Sequence, residues 1–213
     1  EFVRKYLKEL EADSEFVKIL NDPHGHHDRE LKKDLLAMKN LNAKHIRVPI
    51  ITAYRKWGLT DDFRQLTNYL VKFFFRYRTV CNGHPSTLDD YAVKTAENIS
   101  QGTTINDIFE GLTVKIDENP DTTVEVFHTK FEDFATKIDT VARYVIEQLD
   151  SKAYGGDESD TQPSDDVTLE HILPKKTKKW KHKDFFKDYT GSLPSRSQKD
   201  MDAFIHKIGN LTL

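Results

Sequence analysis

A single cysteine, Cys81, stands among 213 residues. It excludes an internal disulfide and any zinc ribbon built on paired cysteines, and it points to a reducing, cytoplasmic setting. Long apolar runs are missing as well. None approaches the roughly 20 residues that a membrane-spanning helix needs, and the N-terminus carries no signal-peptide pattern. There is no Gly-x-Ser-x-Gly elbow and no Gly-rich loop ending in Lys-Ser or Lys-Thr, so serine-hydrolase and P-loop chemistry find no support. No internal repeat is evident.

Net charge is nearly absent too, at −3, but its distribution is uneven. From Asp165 onward 10 Lys+Arg face 7 Asp+Glu, a net of +3. Residues 1–164 therefore hold 22 against 28, a net of −6. Seven lysines fall between Lys175 and Lys187, opposed only by Asp184. Such a field attracts a phosphate backbone.

What is present is mostly helical text. With 37% hydrophobic and 11% aromatic residues, the chain can bury one large core or two small ones. Apolar spacing and caps predict helices over 1–21, 28–41, 48–57 with Pro49 in the first turn, and 60–80 with Thr60 as cap. Further helices are expected from Ser86 or Thr87 to about 100, then over 104–112, 122–136 and 138–149. Short connections favour an irregular helical bundle over residues 1–150. Gly155, Gly156, Pro163 and five Asp/Glu between 157 and 166 leave nothing to bury, so 151–166 reads as an acidic flexible linker. The chain opens on Glu1-Phe2-Val3 without a methionine, with Phe2, Val3, Tyr6, Leu7 and Leu10 already at helical spacing. It stops at Leu213 inside an apolar run, and it therefore reads as part of a longer protein.

Residues 167–213 carry the chemistry. Val167-Thr168-Leu169-Glu170-His171-Ile172-Leu173-Pro174 is a β-rich run stopped by proline, and Lys207-Ile208-Gly209-Asn210-Leu211-Thr212-Leu213 is a second short apolar run. Two such strands can pair and leave Glu170, His171 and Asn210 together at one end. A carboxylate for a metal, an imidazole for a proton and an amide to hold the loop make a hydrolytic site. Gly209 is expected to supply backbone freedom or a close approach there. Between the strands, Trp180, Phe185, Phe186 and Tyr189 anchor one short helix, and Ser197 caps a second with Met201, Phe204 and Ile205 buried.

Glu-His-Ile-Leu-Pro followed by Ile-Gly-Asn-Leu-Thr-Leu resembles the C-terminal nuclease domain of the GmrSD-type modification-dependent restriction enzymes, a branch of the His-Asn-His (HNH, ββα-metal) endonucleases. The resemblance covers about residues 165–213. The text around Phe73-Phe74-Phe75-Arg76-Tyr77-Arg78 is similar to the helical region preceding that domain. The resemblance implies His171 as general base, Glu170 as oxygen ligand to Mg²⁺ or Mn²⁺, and Asn210 as the amide that keeps the histidine oriented. A second metal ligand is expected beyond residue 213, so little cleavage is expected from this stretch alone. It also implies a bacterial phage-defence protein cutting modified double-stranded DNA, with a nucleotide-dependent domain in the same protein or complex.

Each signal has a duller counterpart. A Glu-His pair alone is most often a surface ion pair, and Asn210 an ordinary turn residue. His206 could touch phosphate or metal, or simply end a helix. Lys175, Lys176, Lys178, Lys179, Lys181 and Lys183 form a charged face, which Trp180 and His182 make a better DNA-binding surface. His24-Gly25-His26-His27 reads as a solvated turn, and Arg76 and Arg78 as partners for nearby carboxylates. The expected architecture is mainly α: a helical bundle (1–150), a linker (151–166) and a small α+β HNH-like domain (167–213), incomplete at its end. The alternatives to an endonuclease are a non-catalytic nucleic-acid-binding module that keeps the nuclease fold, and a helical protein-interaction domain.

Overall fold

Apolar residues recurring every three or four positions give eight α-helices among the described residues of this computed structural model, 2–153, 169–172 and 205–212. The chain divides into two compact units, Glu1–Glu132 and Asp133–Leu213. The first holds α1 (Phe2–Asn21), α2 (Arg29–Asn40), α3 (Arg47–Trp57), α4 (Asp61–Phe74), α5 (Pro85–Gln101), α6 (Ile105–Glu118) and α7 (Val124–Glu132).

Caps start these helices where short polar side chains satisfy orphan backbone N–H groups. Asp28 accepts from Leu31 N at 3.1 Å and opens α2, while Thr60 and Thr104 do the same for α4 and α6. The sequence reading misses the cap of α5. His84 Nδ1 accepts from Ser86 N at 3.3 Å, ahead of Pro85 in the first turn. At the other end Gly102, with φ 92°, closes α5 in the left-handed conformation that a side chain would resist.

The long helix expected to reach Val80 changes pitch. After Phe74 the residues Phe75–Val80 wind as a π-helix, with Cys81 N donating to Arg76 O at 3.0 Å. Helix α6 runs six residues past its expected end, because Ile116 continues the buried stripe of Ile108 and Leu112.

Packing follows from the stripes. Helix α3 packs along α5 and against α1 and α4, α2 against α4, and α6 against α4 and α5. Phe16, Leu31, Leu35, Ile46, Ile50, Phe63, Leu66, Leu88 and Ile99 are fully buried there, each aromatic or branched chain worth roughly 2–5 kcal/mol against truncation to alanine. Phe16 stacks on Tyr54 at 4.0 Å, with Phe63 edge-on at 5.6 Å. Asp13, only 8% exposed, receives Arg55 Nε at 2.7 Å, which ties α1 to α3. The Leu31 amide and the Arg64 guanidinium hold the Asp28 carboxyl below the usual carboxylate range. The early stripe of α1 behaves differently: Val3, Leu7 and Leu10 are exposed.

Arg76 finds the expected carboxylate, Asp117 Oδ1 at 2.5 Å. Arg78 does not; its Nη1 donates to Asn82 Oδ1 at 2.7 Å and Gly83 O at 3.1 Å. The chain turns back at Asn82, placing an amide and a carbonyl where an acid was expected. In the histidine-rich turn Pro23–Gly25 is a single 3₁₀ turn, and His26 Nδ1 accepts from Asp28 N at 3.1 Å.

The second unit contains α8 (Asp139–Ala153), β1 (Glu170–His171) and β2 (Leu211–Thr212). Helix α8 includes the first three residues of the expected linker; 154–166 lie outside the described residues. Residues 133–136, expected at the end of α7, instead leave the helix: Asp133 turns, and 134–136 pair with a distant segment. Ala135 bridges Lys207, Thr136 N donates to His206 O at 2.9 Å, and Ile208 N donates to Phe134 O at 3.2 Å. A backbone partner distant in sequence outcompetes helical propensity there. Val141, Ala142, Tyr144 and Val145 of α8 are buried, as are Ile205 and Leu211, and α8 packs on β2 and on the turn before it.

Candidate functional site

The two motif runs pair as antiparallel strands. Glu170 lies opposite Thr212 and His171 opposite Leu211, and Ile172 N donates to Asn210 O at 2.9 Å. Successive strand residues face opposite sides, and burial follows that alternation. Leu211 is 8% exposed on the face it shares with His171, whereas Glu170 and Thr212 are exposed on the other. The backbone thus brings Glu170, His171 and Asn210 to one end of the ribbon, while the side chains of Glu170 and His171 leave it in opposite directions.

Asn210 holds the turn that precedes β2. A 3₁₀ turn, Ile208–Asn210, is closed by Asn210 N donating to Lys207 O at 2.9 Å. The Asn210 side chain is 3% exposed, and its Nδ2 donates to Ile205 O at 3.0 Å. A buried amide paired in this way spans the loop carrying His206 and fixes its path. Gly209 differs from expectation. A Cβ there would meet nothing within 4 Å, and its φ is not positive, because the 3₁₀ turn uses dihedrals open to any residue.

His206 comes to the same place. Its ring lies 6.0 Å from the His171 ring, nearly perpendicular at 87°. Both imidazoles are half-buried. Lys207, the next residue, pairs with Asp133 Oδ1 at 2.5 Å and holds that carboxyl below its ordinary range, chiefly through the hydrogen bond. The paired segment 134–136, the Ile205 carbonyl and Asp133 all support the site without any motif to announce them. Their signal would have to come from long-range pairing, which local periodicity does not carry. The lysines proposed for DNA, Lys175, Lys176, Lys178, Lys179, Lys181 and Lys183, lie outside the described residues, as do Trp180 and the helices expected between the strands.

Donor chemistry decides what cation the ribbon end suits. Glu170 offers one exposed carboxylate, and among the described residues no three His, Cys, Asp or Glu side chains come together. Mg²⁺ commonly takes one or two carboxylates and completes its shell with waters and substrate phosphate oxygens. A single exposed acid fits that open binding and not a closed protein cage.

Among the described residues no helix is long and apolar enough to cross a membrane. No curated protein and no solved structure matches the chain. A family model does match: the one described as GmrSD restriction endonucleases, C-terminal domain, over residues 121–213. That span takes in α7, α8 and both strands of the ribbon. Over residues 121–213 the chain is thus similar to the C-terminal domain of the GmrSD restriction endonucleases.

Proposed function

We propose that the ribbon end is an HNH-type phosphodiesterase site, and that the protein carrying this chain is a restriction factor cutting modified double-stranded DNA. The family match implies a nuclease role at the level of the family. The observation that carries the residue-level reading is the strand register, which sets Glu170-His171 beside the turn locked by Asn210.

Phosphodiester hydrolysis requires a water to lose a proton while attacking phosphorus in line with the departing oxygen. His171 takes that proton; imidazole changes charge near neutral pH and suits the task. The new bond is water oxygen to phosphorus, the broken one is phosphorus to the ester oxygen, and that oxygen leaves as an alkoxide that takes its proton from solvent water. Asn210 is a positioning residue: its buried amide fixes residues 205–210, whose backbone clasps the residue after His171. His206, whose ring lies 6.0 Å from that of His171, contacts phosphate or metal in this reading. Glu170 would hold a divalent cation, Mg²⁺ or Mn²⁺, which would supply charge neutralisation at the phosphate. The lysines from Lys175 to Lys183 follow the DNA backbone as point charges and add affinity with little sequence reading. The helical unit passes the state of a nucleotide-dependent domain to the nuclease.

The test is nicking of plasmid and of modified phage DNA by the protein carrying this chain, with Mn²⁺ or Mg²⁺, beside its His171→Ala variant. Metal-dependent cleavage lost in the variant supports the enzyme. Intact DNA binding with no cleavage by the wild type, and weaker binding after neutralising Lys175, Lys176, Lys178 and Lys179, would instead identify a non-catalytic module with a nuclease fold.

A further inference from the structure

The helical unit contains a cavity that the nuclease reading does not use. It opens at the end of the π-helical turn Phe75–Val80, a geometry that recurs at functional sites because it sacrifices regular hydrogen bonding. Its volume is about 720 Å³, within the range of small-molecule sites, roughly 300–1,000 Å³. Arg78, Cys81, Asn82, Asn119, Asp121 and Lys130 contribute to its lining.

Two cations, Arg78 and Lys130, line this cavity beside Asp121, and neither forms an ion pair among the described residues. Lys130 Nζ donates to Cys81 O at 2.9 Å and Asp121 O at 3.4 Å. Arg78 is fixed by Asn82 Oδ1 and Gly83 O through Nη1 alone, leaving Nε and Nη2 without acceptors among the described residues. Neither side chain enters an ion pair among the described residues, whereas Arg76, two positions earlier, does. Carbonyls and an amide therefore hold both head groups in place without cancelling their charge. Asn82 itself sits at φ 58°, a left-handed conformation that asparagine tolerates better than most residues. Gly83 packs flat on a ring: a Cβ there would fall 2.5 Å from Tyr77 Cε1, so this wall is closed and fixed. Burial pushes the Cys81 thiol up against the pull of Lys130, so the cavity does not offer a thiolate nucleophile.

We propose that this cavity binds a small phosphate monoester. A monoester phosphate is close to a dianion at neutral pH, which suits two cations that form no ion pair among the described residues. The free edge of a guanidinium accepts paired phosphate oxygens, and an ammonium adds a point charge beside it. Asn82 and Asn119 supply amides that both donate and accept, and Asp121 accepts from hydroxyl or amino groups. These are the groups that the sugar or base of a nucleotide presents.

Calorimetric titration of the whole chain tests this. The probes are inorganic phosphate, a nucleoside 5′-monophosphate, the same nucleoside without phosphate, and a short single-stranded oligonucleotide with and without a 5′-phosphate. The monophosphate is expected to bind and the bare nucleoside not to. Arg78→Gln and Lys130→Gln retain amide donors for the carbonyls; each should weaken binding about tenfold, the loss expected for a charge-assisted contact, with the thermal midpoint little changed. Tighter binding of the free monophosphate identifies a metabolite as the ligand; tighter binding of the 5′-phosphorylated oligonucleotide identifies a nucleic-acid end. The proposal is overturned if no phosphorylated probe binds at about millimolar concentration, if the 5′-phosphate makes no difference to the oligonucleotide, or if both variants bind as the wild type does. Should either variant fail to fold, the wild-type titrations still decide between these outcomes.

Discussion

The two units are ordered by different forces. In residues 2–132 the elements are long, each helix satisfies its own backbone, and what joins them is buried apolar area: Phe16, Leu35, Ile50, Phe63 and Ile99 touch no solvent to speak of. In the second unit each strand is two residues long. Its described segments are joined by backbone pairs between 134–136 and 206–208, by the clasp from Ile172 to Asn210, by the buried Asn210 amide, and by α8 packing on β2 and the turn before it. The bundle spreads its stability over many side chains. In the described part of the ribbon, hydrogen bonds between segments distant in sequence place the chemical groups.

The largest expected effect separates chemistry from stability. His171→Ala should reduce cleavage of modified DNA by roughly 10²–10⁴-fold, the usual worth of a general base, and leave the thermal unfolding profile where it was. Equal losses in both would mean that the imidazole is structural. Next comes Phe63→Ala, which empties a fully buried site in the bundle and should cost about 3–5 kcal/mol in denaturant unfolding. A loss under about 1 kcal/mol would contradict the packing described.

Asn210→Ala is smaller in energy but sharper in consequence. It leaves the Ile205 carbonyl without its donor, at a cost of about 1–3 kcal/mol. Hydrogen exchange should speed up locally at Ile172 and Asn210, whose amides close the clasp and the turn, while Leu35 and Leu66 in the bundle exchange as before. Uniform acceleration everywhere would argue against a local role.

A pH-dependent effect belongs to the bundle. Burial raises the Asp34 carboxyl to about 6 despite its hydrogen bond from Asn68 Nδ2 at 2.9 Å. A carboxyl raised in the folded state favours folding when protonated. That contribution is complete below its unfolded value near 3.8 and is lost as pH rises through about 6. Asp34→Asn should therefore raise the melting temperature at pH 8, by on the order of 1–2 kcal/mol of stability, and give no gain at pH 3.5. The smallest effect is expected at Gly209, where alanine meets nothing and strains nothing; its stability should stay within about 0.5 kcal/mol of wild type.

Much of this was legible because the signals are local. Thr60 and Thr104 announce helix starts, and the apolar stripes of α2 and α5 repeat within a few residues. Glu170-His171 and Gly209-Asn210 could be read as facing strand ends because each run is short, apolar and bounded. What escaped reading depends on partners elsewhere. His84 as a cap requires the turn at Asn82, and Arg78 lacks its expected carboxylate because the π turn and Asn82 redirect the chain. Segment 134–136 would continue a helix by propensity, yet it pairs with 206–208.

The sequence by itself determined the helical character, the places where most helices begin, and the identity of the acid, imidazole and amide in the terminal motif. Those follow from side-chain chemistry and from the 3.6-residue period, which act within one or two turns of chain. Only tertiary structure decided that α8 belongs with the ribbon, that Glu170 and His171 leave it by opposite faces, that His206 lies beside His171, and that Arg78 and Lys130 share a cavity while forming no ion pair among the described residues. Each of these is set by backbone hydrogen bonds or packing between residues far apart in sequence, and a local pattern carries no record of which distant partner closes the loop.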